Sequence, residues 1–372
     1  MANSRKRPNN SSNYVDISSN TQVVNIYKKK GKAKRIVALV LAVVLLITGV
    51  LLVVGCTYTN NVLNELTDVT EATEPTVETK ETVDDPGDFN NVTDSDLLSD
   101  PKILNVMLFG EDNHSENTTG RSDSMIMCSI DNNSKKIKLT SFQRDTYVYV
   151  PGYGYTKLTH AYSYGGAPLA IKTIETNFGV KVDRYAVVDF DSFKKIIDVL
   201  GGVTMDITAE EAGYINLQLY KNHQAPDRNT LKEVDGKVKL NGQQALWYAR
   251  NRGFYEPGYT TTFKGDDWDR TERQRKLLQT MFKDLKSATL PQIISIISEV
   301  GPYVTTNLKK DEITGLATHA LTYLKYKVVQ YNVPQSGLWS YYNSPSTGSI
   351  IRIDDVDTCR KKFAKFVFGN LI

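Results

Sequence analysis

The sequence predicts an α/β domain carried behind an N-terminal membrane anchor. Three observations lead there. Residues 36–55 run for twenty positions without a charge and are mostly Val, Leu, Ala and Ile; an acidic tract poor in apolar residues follows; and from Lys102 onward short apolar runs alternate with runs at helical spacing. The composition agrees. A chain of 372 residues with 40% hydrophobic and 23% charged residues is ordinary globular material, which excludes wholesale disorder and a small disulfide scaffold. The net charge of +3 does not by itself call for a nucleic-acid partner, and none is expected.

Charge is distributed very unevenly. Residues 1–35 hold nine Lys or Arg against one Asp, whereas residues 57–100 hold one Lys against twelve acids. Twenty uncharged residues are the length a helix needs to cross the hydrocarbon core, and basic residues stay on the cytoplasmic side. The expected organisation is therefore a basic cytoplasmic arm (1–35), a single transmembrane helix (36–56), a flexible acidic linker (57–100) and an extracytoplasmic domain (101–372). A cleaved secretory signal, or a lipoprotein signal with Cys56 as the lipid acceptor, are the alternatives for the apolar stretch. With only Cys56, Cys128 and Cys359, no disulfide framework can be read, although a Cys128–Cys359 bridge stays open.

Each element of the domain has a local reason. Residues 103–109 are a short apolar run ended by Gly110, and 125–130 with 137–142 make a strand pair across Asp131-Asn132-Asn133-Ser134. Apolar spacing predicts a helix over 168–178, a strand over 185–190, a helix over 193–200 stopped by Gly201-Gly202, and a strand over 203–207. The polar stretch 208–240 has no clear period and reads as a long surface excursion. Helices are then expected from Asn241-Gly242, over about 268–286, near 291–300 and 310–325, and near 354–368, with a strand near 328–333.

Four constellations carry chemistry, and each concentrates Asp or Arg where the chain leaves a secondary-structure element. Gly110-Glu111-Asp112 closes the first strand, where open α/β sheets commonly place ligands. Gly120-Arg121-Ser122-Asp123-Ser124 opens the second. Asp112 and Asp123 thus bracket one loop, and paired hard oxygen ligands suit Mg²⁺ that keeps several waters; a plain turn cap and a surface ion pair are the simpler alternative. Ser141-Phe142-Gln143-Arg144-Asp145-Thr146 places Arg144 beyond a strand end as a phosphate fork. Asp145 is either its ion-pair partner or a further catalytic carboxylate.

The fourth set is the richest: Tyr248-Ala249-Arg250-Asn251-Arg252, then Asp267-Trp268-Asp269-Arg270-Thr271-Glu272-Arg273-Gln274. At 100° per residue Arg270, Gln274 and Leu277 fall on one helix face, so Arg270 and Gln274 should face a protein cleft. A helix N-terminus already favours an anion through its unpaired N–H groups. Arg250 and Arg252 would close such a phosphate site from the opposite side. The simpler alternative is a solvated charged helix face.

Taken in order, GEDNH (110–114), GRSDS (120–124), SFQRDTYV (141–148), KLTHAYSYGG (157–166), LGGV (200–203), LNGQQALWYARNR (240–252) and DWDRTERQ (267–274) resemble the LytR-CpsA-Psr family of Gram-positive envelope enzymes. The resemblance implies a three-layer α-β-α sandwich with a central mixed sheet. It also implies transfer of an anionic or secondary cell-wall glycopolymer, such as teichoic acid or capsule, from a polyprenyl-pyrophosphate carrier to peptidoglycan. By motif, Asp112 and Asp123 would be Mg²⁺ carboxylates, and Arg121, Arg144, Arg250, Arg252 and Arg270 the pyrophosphate clamp, with Asp267 and Gln274 alongside. The chain departs from the pattern at His114, where the family usually has Arg, and at Gln143, where it usually has Pro. Glu111 competes with Asp112 as metal ligand.

The expected chemistry is attack of a sugar hydroxyl on the phosphorus nearest the glycopolymer, with developing charge met by Mg²⁺ and guanidiniums. Arg144 and Asp145 would support it, and Asp123 or Asp267 would accept the proton. A polyprenyl-pyrophosphate pyrophosphatase and a non-catalytic sensor of lipid carriers are the competing functions.

Overall fold

A computed structural model of the chain describes residues 96–112, 120–227, 230–254, 263–285, 289 and 299–369. The basic arm, the apolar span 36–56, nearly all of the acidic tract, His114 and most of the helix expected near 291–300 lie outside the described residues. Among the described residues no helix is long and apolar enough to cross a membrane.

The centre of the domain is a six-stranded mixed sheet. Its strands are β1 (Ile103–Asp112), β2 (Arg121–Asp131), β3 (Lys136–Phe142), β6 (Arg184–Asp189), β11 (Thr305–Thr306) and β12 (Lys327–Val333), in the order β11-β6-β1-β2-β3-β12. β1, β2 and β3 form an antiparallel meander, while β6 runs parallel to β1 and β12 parallel to β3. Three small hairpins lie outside the sheet: β4–β5 (Tyr147–Val150, Gly154–Lys157), β7–β8 (Val203–Ile207, Gly236–Leu240) and β13–β14 (Trp339–Ser344, Gly348–Ile353). A short pair, β9 (Gly253–Phe254) and β10 (Phe263–Lys264), precedes the long helix.

Side chains alternate across each strand, and here both faces are apolar. Val106, Ile126, Cys128, Ile130, Ile137 and Leu139 face one way, against α2 (Phe190–Val199), α3 (Ala209–Lys221), α4 (Gly242–Arg250), α5 (Asp267–Leu285), α6 (Lys310–Thr318) and α7 (Ala320–Tyr323). Ile103, Met107, Phe109, Met125, Met127 and Phe142 face the other, against α1 (Leu158–Phe178) and α8 (Val356–Phe368). Helices cover both faces, as the resemblance implied. Ile174 and Phe178 belong to the second core and play no part in the site. Cys128 and Cys359 sit in opposite cores and both are free, so the bridge left open by the sequence does not form. Burial pushes their thiols up to about 12 and about 11.

The sequence reading errs most at 208–240. This stretch folds into α3 and β8 rather than one long excursion. Thr208 accepts from the Glu211 N–H and Glu211 accepts from the Thr208 N–H, a capping box that starts α3. Glu211 also accepts from Arg273 Nε at 2.8 Å, with both side chains over nine-tenths buried. The Thr-x-x-Glu spacing was the available signal; its polar residues hid it because they are spent on the cap and on a buried ion pair. The β4–β5 and β13–β14 hairpins were also missed, while the helix expected at 168–178 begins ten residues earlier and is interrupted at Gly165 and Gly166.

Glu211→Ala removes the acceptor of the Thr208 N–H, one half of the capping box, and leaves the buried Arg273 guanidinium short of its carboxylate. Breaking one side of such a pair costs about 3–5 kcal/mol, so the urea midpoint is expected to drop accordingly. Glu211→Gln, which can still cap, should lose clearly less.

Candidate active site

Strand directions bring the motifs together. β1, β3 and β6 run the same way and β2 runs against them, so the ends of β1 and β3 and the start of β2 share one edge of the sheet. This is the edge where α/β sheets place ligands. Asp112 ends β1, Asp123 lies near the start of β2, and Arg144 and Asp145 follow β3. The end of α4 delivers Arg250 and the start of α5 delivers Asp267 and Arg270 to the same place.

Asp123 is the hub. Its carboxylate accepts from Arg144 Nη1 at 2.5 Å and stands 3.4 Å from Arg270 Nη1 and 3.7 Å from Arg252 Nη2. Its main-chain oxygen accepts a further bond from Arg270 Nη2 at 2.8 Å. Asp267 meets the same three guanidiniums: Oδ1 lies 2.9 Å from Arg270 Nη2, 3.3 Å from Arg252 Nε and 3.4 Å from Arg144 Nε. Arg250 lies 3.9 Å from Asp112 and rests on the Phe190 and Trp247 rings. Asp145 is an ion-pair residue, 3.6 Å from Arg144 Nε and 3.1 Å from Lys157 Nζ. Arg121 stands at the rim, exposed at the first position of β2, where with burial it keeps His160 easily deprotonated.

The two central carboxylates are pushed apart. Burial would raise Asp123, but Arg270, Arg144 and Arg252 outweigh it and hold the carboxyl below its ordinary value. For Asp267 burial wins over the same arginines, and its pKa is raised. The contacts differ in the same sense: Asp123 takes a hydrogen bond of 2.5 Å from Arg144, whereas Asp267 takes a longer one, 3.1 Å from Arg270 Nη2 to Oδ2, and its buried Oδ1 accepts none. Arg270 is 2% exposed, and burial brings it down to about 10 despite Asp267 and Asp123.

Two glycines permit the close packing. A Cβ on Gly120 would meet the Asp112 carbonyl oxygen at 2.6 Å, and one on Gly265 would meet the Gly253 nitrogen at 2.7 Å and the Arg252 main chain at 2.8 Å. Gly265 thus lets the approach to α5 run against Arg252. The sequence reading missed further supports. Gln143 Nε2 donates to Thr271 Oγ1 at 3.0 Å, and its main-chain N–H, which a proline would lack, donates to Val333. Glu111 accepts from the Gly120 N–H and from the Tyr162 hydroxyl, so its carboxylate holds the strand ends together, which favours Asp112 over Glu111 as a metal ligand.

Beneath the cluster a cavity of about 140 Å³ lies between β1, β2 and β6 and helices α2, α4 and α5. Asp123, Arg250, Arg270 and Gln274 line its polar end; Leu108, Ile126, Val188, Phe193, Leu277 and Met281 line the rest. From Arg270 to Met281 the helix advances about 16 Å, from guanidinium to pure hydrocarbon. No sequence stripe displays such a cleft, because its walls come from six elements.

Arg144 Nε and Arg270 Nε are buried donors with no hydrogen-bond acceptor, and three guanidiniums crowd two carboxylates. Such a site has room for an added anion's oxygens. Among the described residues no three His, Cys, Asp or Glu side chains converge into an all-protein cage. Mg²⁺ is commonly held by one or two carboxylates with phosphate oxygens and water, and Asp112 and Asp123, on adjacent strand ends beside the arginines, are a donor set of that kind.

Fold and site together define an α/β protein able to hold an anionic headgroup over an apolar cleft. The chain belongs to the LytR-CpsA-Psr family, whose model matches residues 61–358. It is 30% identical over 230 residues to the polyisoprenyl-teichoic acid–peptidoglycan teichoic acid transferase TagU of Oceanobacillus iheyensis, covering 60% of this chain and 64% of that one, just under two thirds of the relative's length. It is 30% identical over 266 residues to the regulatory protein MsrR of Staphylococcus aureus, covering 69% and 72%. Among solved structures, the LytR-CPS2A-psr family protein YwtF (TagT) of Bacillus subtilis with bound octaprenyl pyrophosphate lipid matches at a TM-score of 0.52 and 22% identity, over 72% of this chain and 91% of that one, a likeness of fold.

Arg270→Ala should keep the fold, because Asp123 and Asp267 retain Arg144 and Arg252, but weaken inorganic pyrophosphate binding at least tenfold, the worth of about one charged hydrogen bond. Calorimetric titration checks it, and unchanged affinity would remove Arg270 from the anion site.

Proposed function

We propose that the protein transfers a glycopolymer from a polyprenyl-pyrophosphate carrier to a hydroxyl of peptidoglycan and releases polyprenyl phosphate. The observation that carries this reading is the cleft that passes from hydrocarbon to an arginine–carboxylate cluster: its apolar walls suit the hydrocarbon of an isoprenoid and its polar end suits a pyrophosphate. The names of TagU and of the lipid-bound TagT structure support it. In this reading the apolar span 36–56 anchors the chain once in the membrane, with residues 1–35 cytoplasmic and the domain outside, held off by the acidic linker.

The acceptor hydroxyl forms a new O–P bond at the phosphorus nearest the glycan. The bond from that phosphorus to the bridging oxygen breaks, and polyprenyl phosphate leaves with the electron pair. Arg144, Arg252 and Arg270 face the charge that develops, already oriented before substrate arrives, and Arg250 guards the cleft mouth. Gln274, whose Nε2 rests 3.5 Å from the Ala249 carbonyl oxygen, lines the passage between headgroup and tail. Mg²⁺ held by Asp112 and Asp123 would supply Lewis-acid neutralisation of phosphate oxygens.

The split between the two carboxylates supports a division of roles. Asp123, held ionised, positions the guanidiniums; Asp267, whose pKa is raised, accepts the hydroxyl proton. Environments that drive paired carboxyls apart commonly mark such a division.

The acceptor must be deprotonated to act, so the transfer rate should rise with pH through a midpoint above the ordinary Asp value of about 3.9. Asp267→Asn should lose that acid limb and about 10²-fold or more in rate, with carrier binding kept. The assay uses the full chain, a polyprenyl-pyrophosphate oligosaccharide, Mg²⁺ and peptidoglycan oligomers, with products read by mass spectrometry. Linked glycan supports transfer; phosphate release without linkage would make the protein a pyrophosphatase, and full activity in Asp267→Asn would move proton acceptance elsewhere.

A further inference from the structure

Aromatic side chains beside the cluster are left unused by the chemistry above. Trp268 follows Asp267 directly. On a helix it lies about 200° round from Arg270, so it faces away from the apolar cleft. Its indole stacks on Trp339 of β13 with centroids 4.7 Å apart and planes 22° from parallel. Trp339 in turn meets Tyr341 edge to face at 4.9 Å and 79°. Two residues apart on one strand, Trp339 and Tyr341 project from the same face of the hairpin.

This hairpin is tied to the site. The Ile351 N–H donates to the Asp145 carbonyl oxygen at 2.9 Å, and Thr146 bridges Ile351. The aromatic corner is therefore fixed to the Arg144–Asp145 loop on one side and to the first turn of α5 on the other. Trp268 adjoins Asp267 in the chain and Ile351 is bonded to Asp145, which places the corner at the edge of the charged cluster. Yet Tyr341 stays 59% exposed, and Trp268 and Trp339 are only half-buried. Single exposed rings need no explanation; three in mutual contact beside a charged cluster call for one.

We propose that Trp268, Trp339 and Tyr341 form a subsite for a pyranose ring. The C–H face of a sugar packs on the electron-rich face of an aromatic ring, and the corner presents the exposed Tyr341 ring beside the half-buried, stacked indoles of Trp268 and Trp339. Its position follows connectivity: hydrocarbon in the cleft, phosphates at the arginines, sugar on the far side of Asp267. The inference rests on the transferase reading, which supplies the sugar: the carrier's glycan or the acceptor strand.

The test titrates the full-length protein with three probes: a peptidoglycan tetrasaccharide free of lipid and phosphate, octaprenyl pyrophosphate, and octaprenyl pyrophosphate bearing a disaccharide. Trp339→Ala and the more exposed Tyr341→Ala are compared with the unaltered chain by calorimetry, with circular dichroism confirming the fold. At least a fivefold loss is expected for a sugar-bearing probe in both variants, with bare octaprenyl pyrophosphate unchanged. Loss confined to the tetrasaccharide identifies the acceptor's sugar, and loss confined to the disaccharide carrier identifies the donor's. Equal affinities for both sugar probes in folded variants, or no binding of either sugar probe beyond the bare carrier, would overturn the subsite alone. Failure of the unaltered chain to bind octaprenyl pyrophosphate would overturn the transferase reading instead.

Discussion

Guanidiniums from three separate segments share a half-buried volume here, and carboxylates must stand between them for the fold to close. Arg270 is 2% exposed, and leaving such a charge unpaired inside a protein costs several kcal/mol. Asp123 meets that requirement from a central strand. By accepting from Arg144 and standing against Arg252 and Arg270, it joins the loop after β3, the exit of α4 and the start of α5 at one point. Asp267 completes the neutralisation from the helix side. The cluster is thus folded and oriented before any ligand arrives, the condition under which fixed charges act most strongly on a developing anion.

The rest of the architecture serves that convergence. An antiparallel meander with β6 returning parallel puts the ends of β1 and β3 at one edge, and helices on both faces keep the sheet dry. α5 does two jobs along its length. Its first turn carries Asp267 and Arg270; its later turns offer Leu277 and Met281 to the cleft. Its opposite face is anchored: Thr271 receives Gln143, and Arg275 donates to Gln330 and Asn332 of β12. A helix held on both sides cannot slide, so Arg270 and Met281 stay in register at the two ends of the cleft.

Asp267 is the carboxylate that burial affects most. It is buried among arginines and yet its pKa is raised, since desolvation outweighs attraction where no short hydrogen bond is made. A carboxyl kept in that condition is poorly suited to holding a fold together and well suited to taking a proton. The neighbouring aromatic corner adds an apolar wall on the same side. Charge and aromatic surface therefore meet within one helix turn, and the hydrocarbon wall follows further along the same helix.

Much of this was legible in the chain. Apolar runs placed β1, β2, β3, β6 and β12, and the period of 3.6 placed Arg270, Gln274 and Leu277 on one inward face, because both signals are local. The motif residues Asp112, Asp123, Arg144, Arg250, Arg252, Asp267 and Arg270 do gather, whereas Arg121 stays at the rim and Asp145 is engaged with Arg144 and Lys157. Other features were not legible. The capping box at Thr208–Glu211 was passed over because its polar residues look like a loop's, and the aromatic corner joins residues seventy positions apart. The sequence by itself determined which elements form and which side chains carry charge, since those follow from periodicity and residue type. Only the tertiary structure decided that the pKa of one carboxylate is lowered and that of its neighbour raised, and that a cleft runs beneath them, because burial and distance between distant segments exist only once the chain has folded.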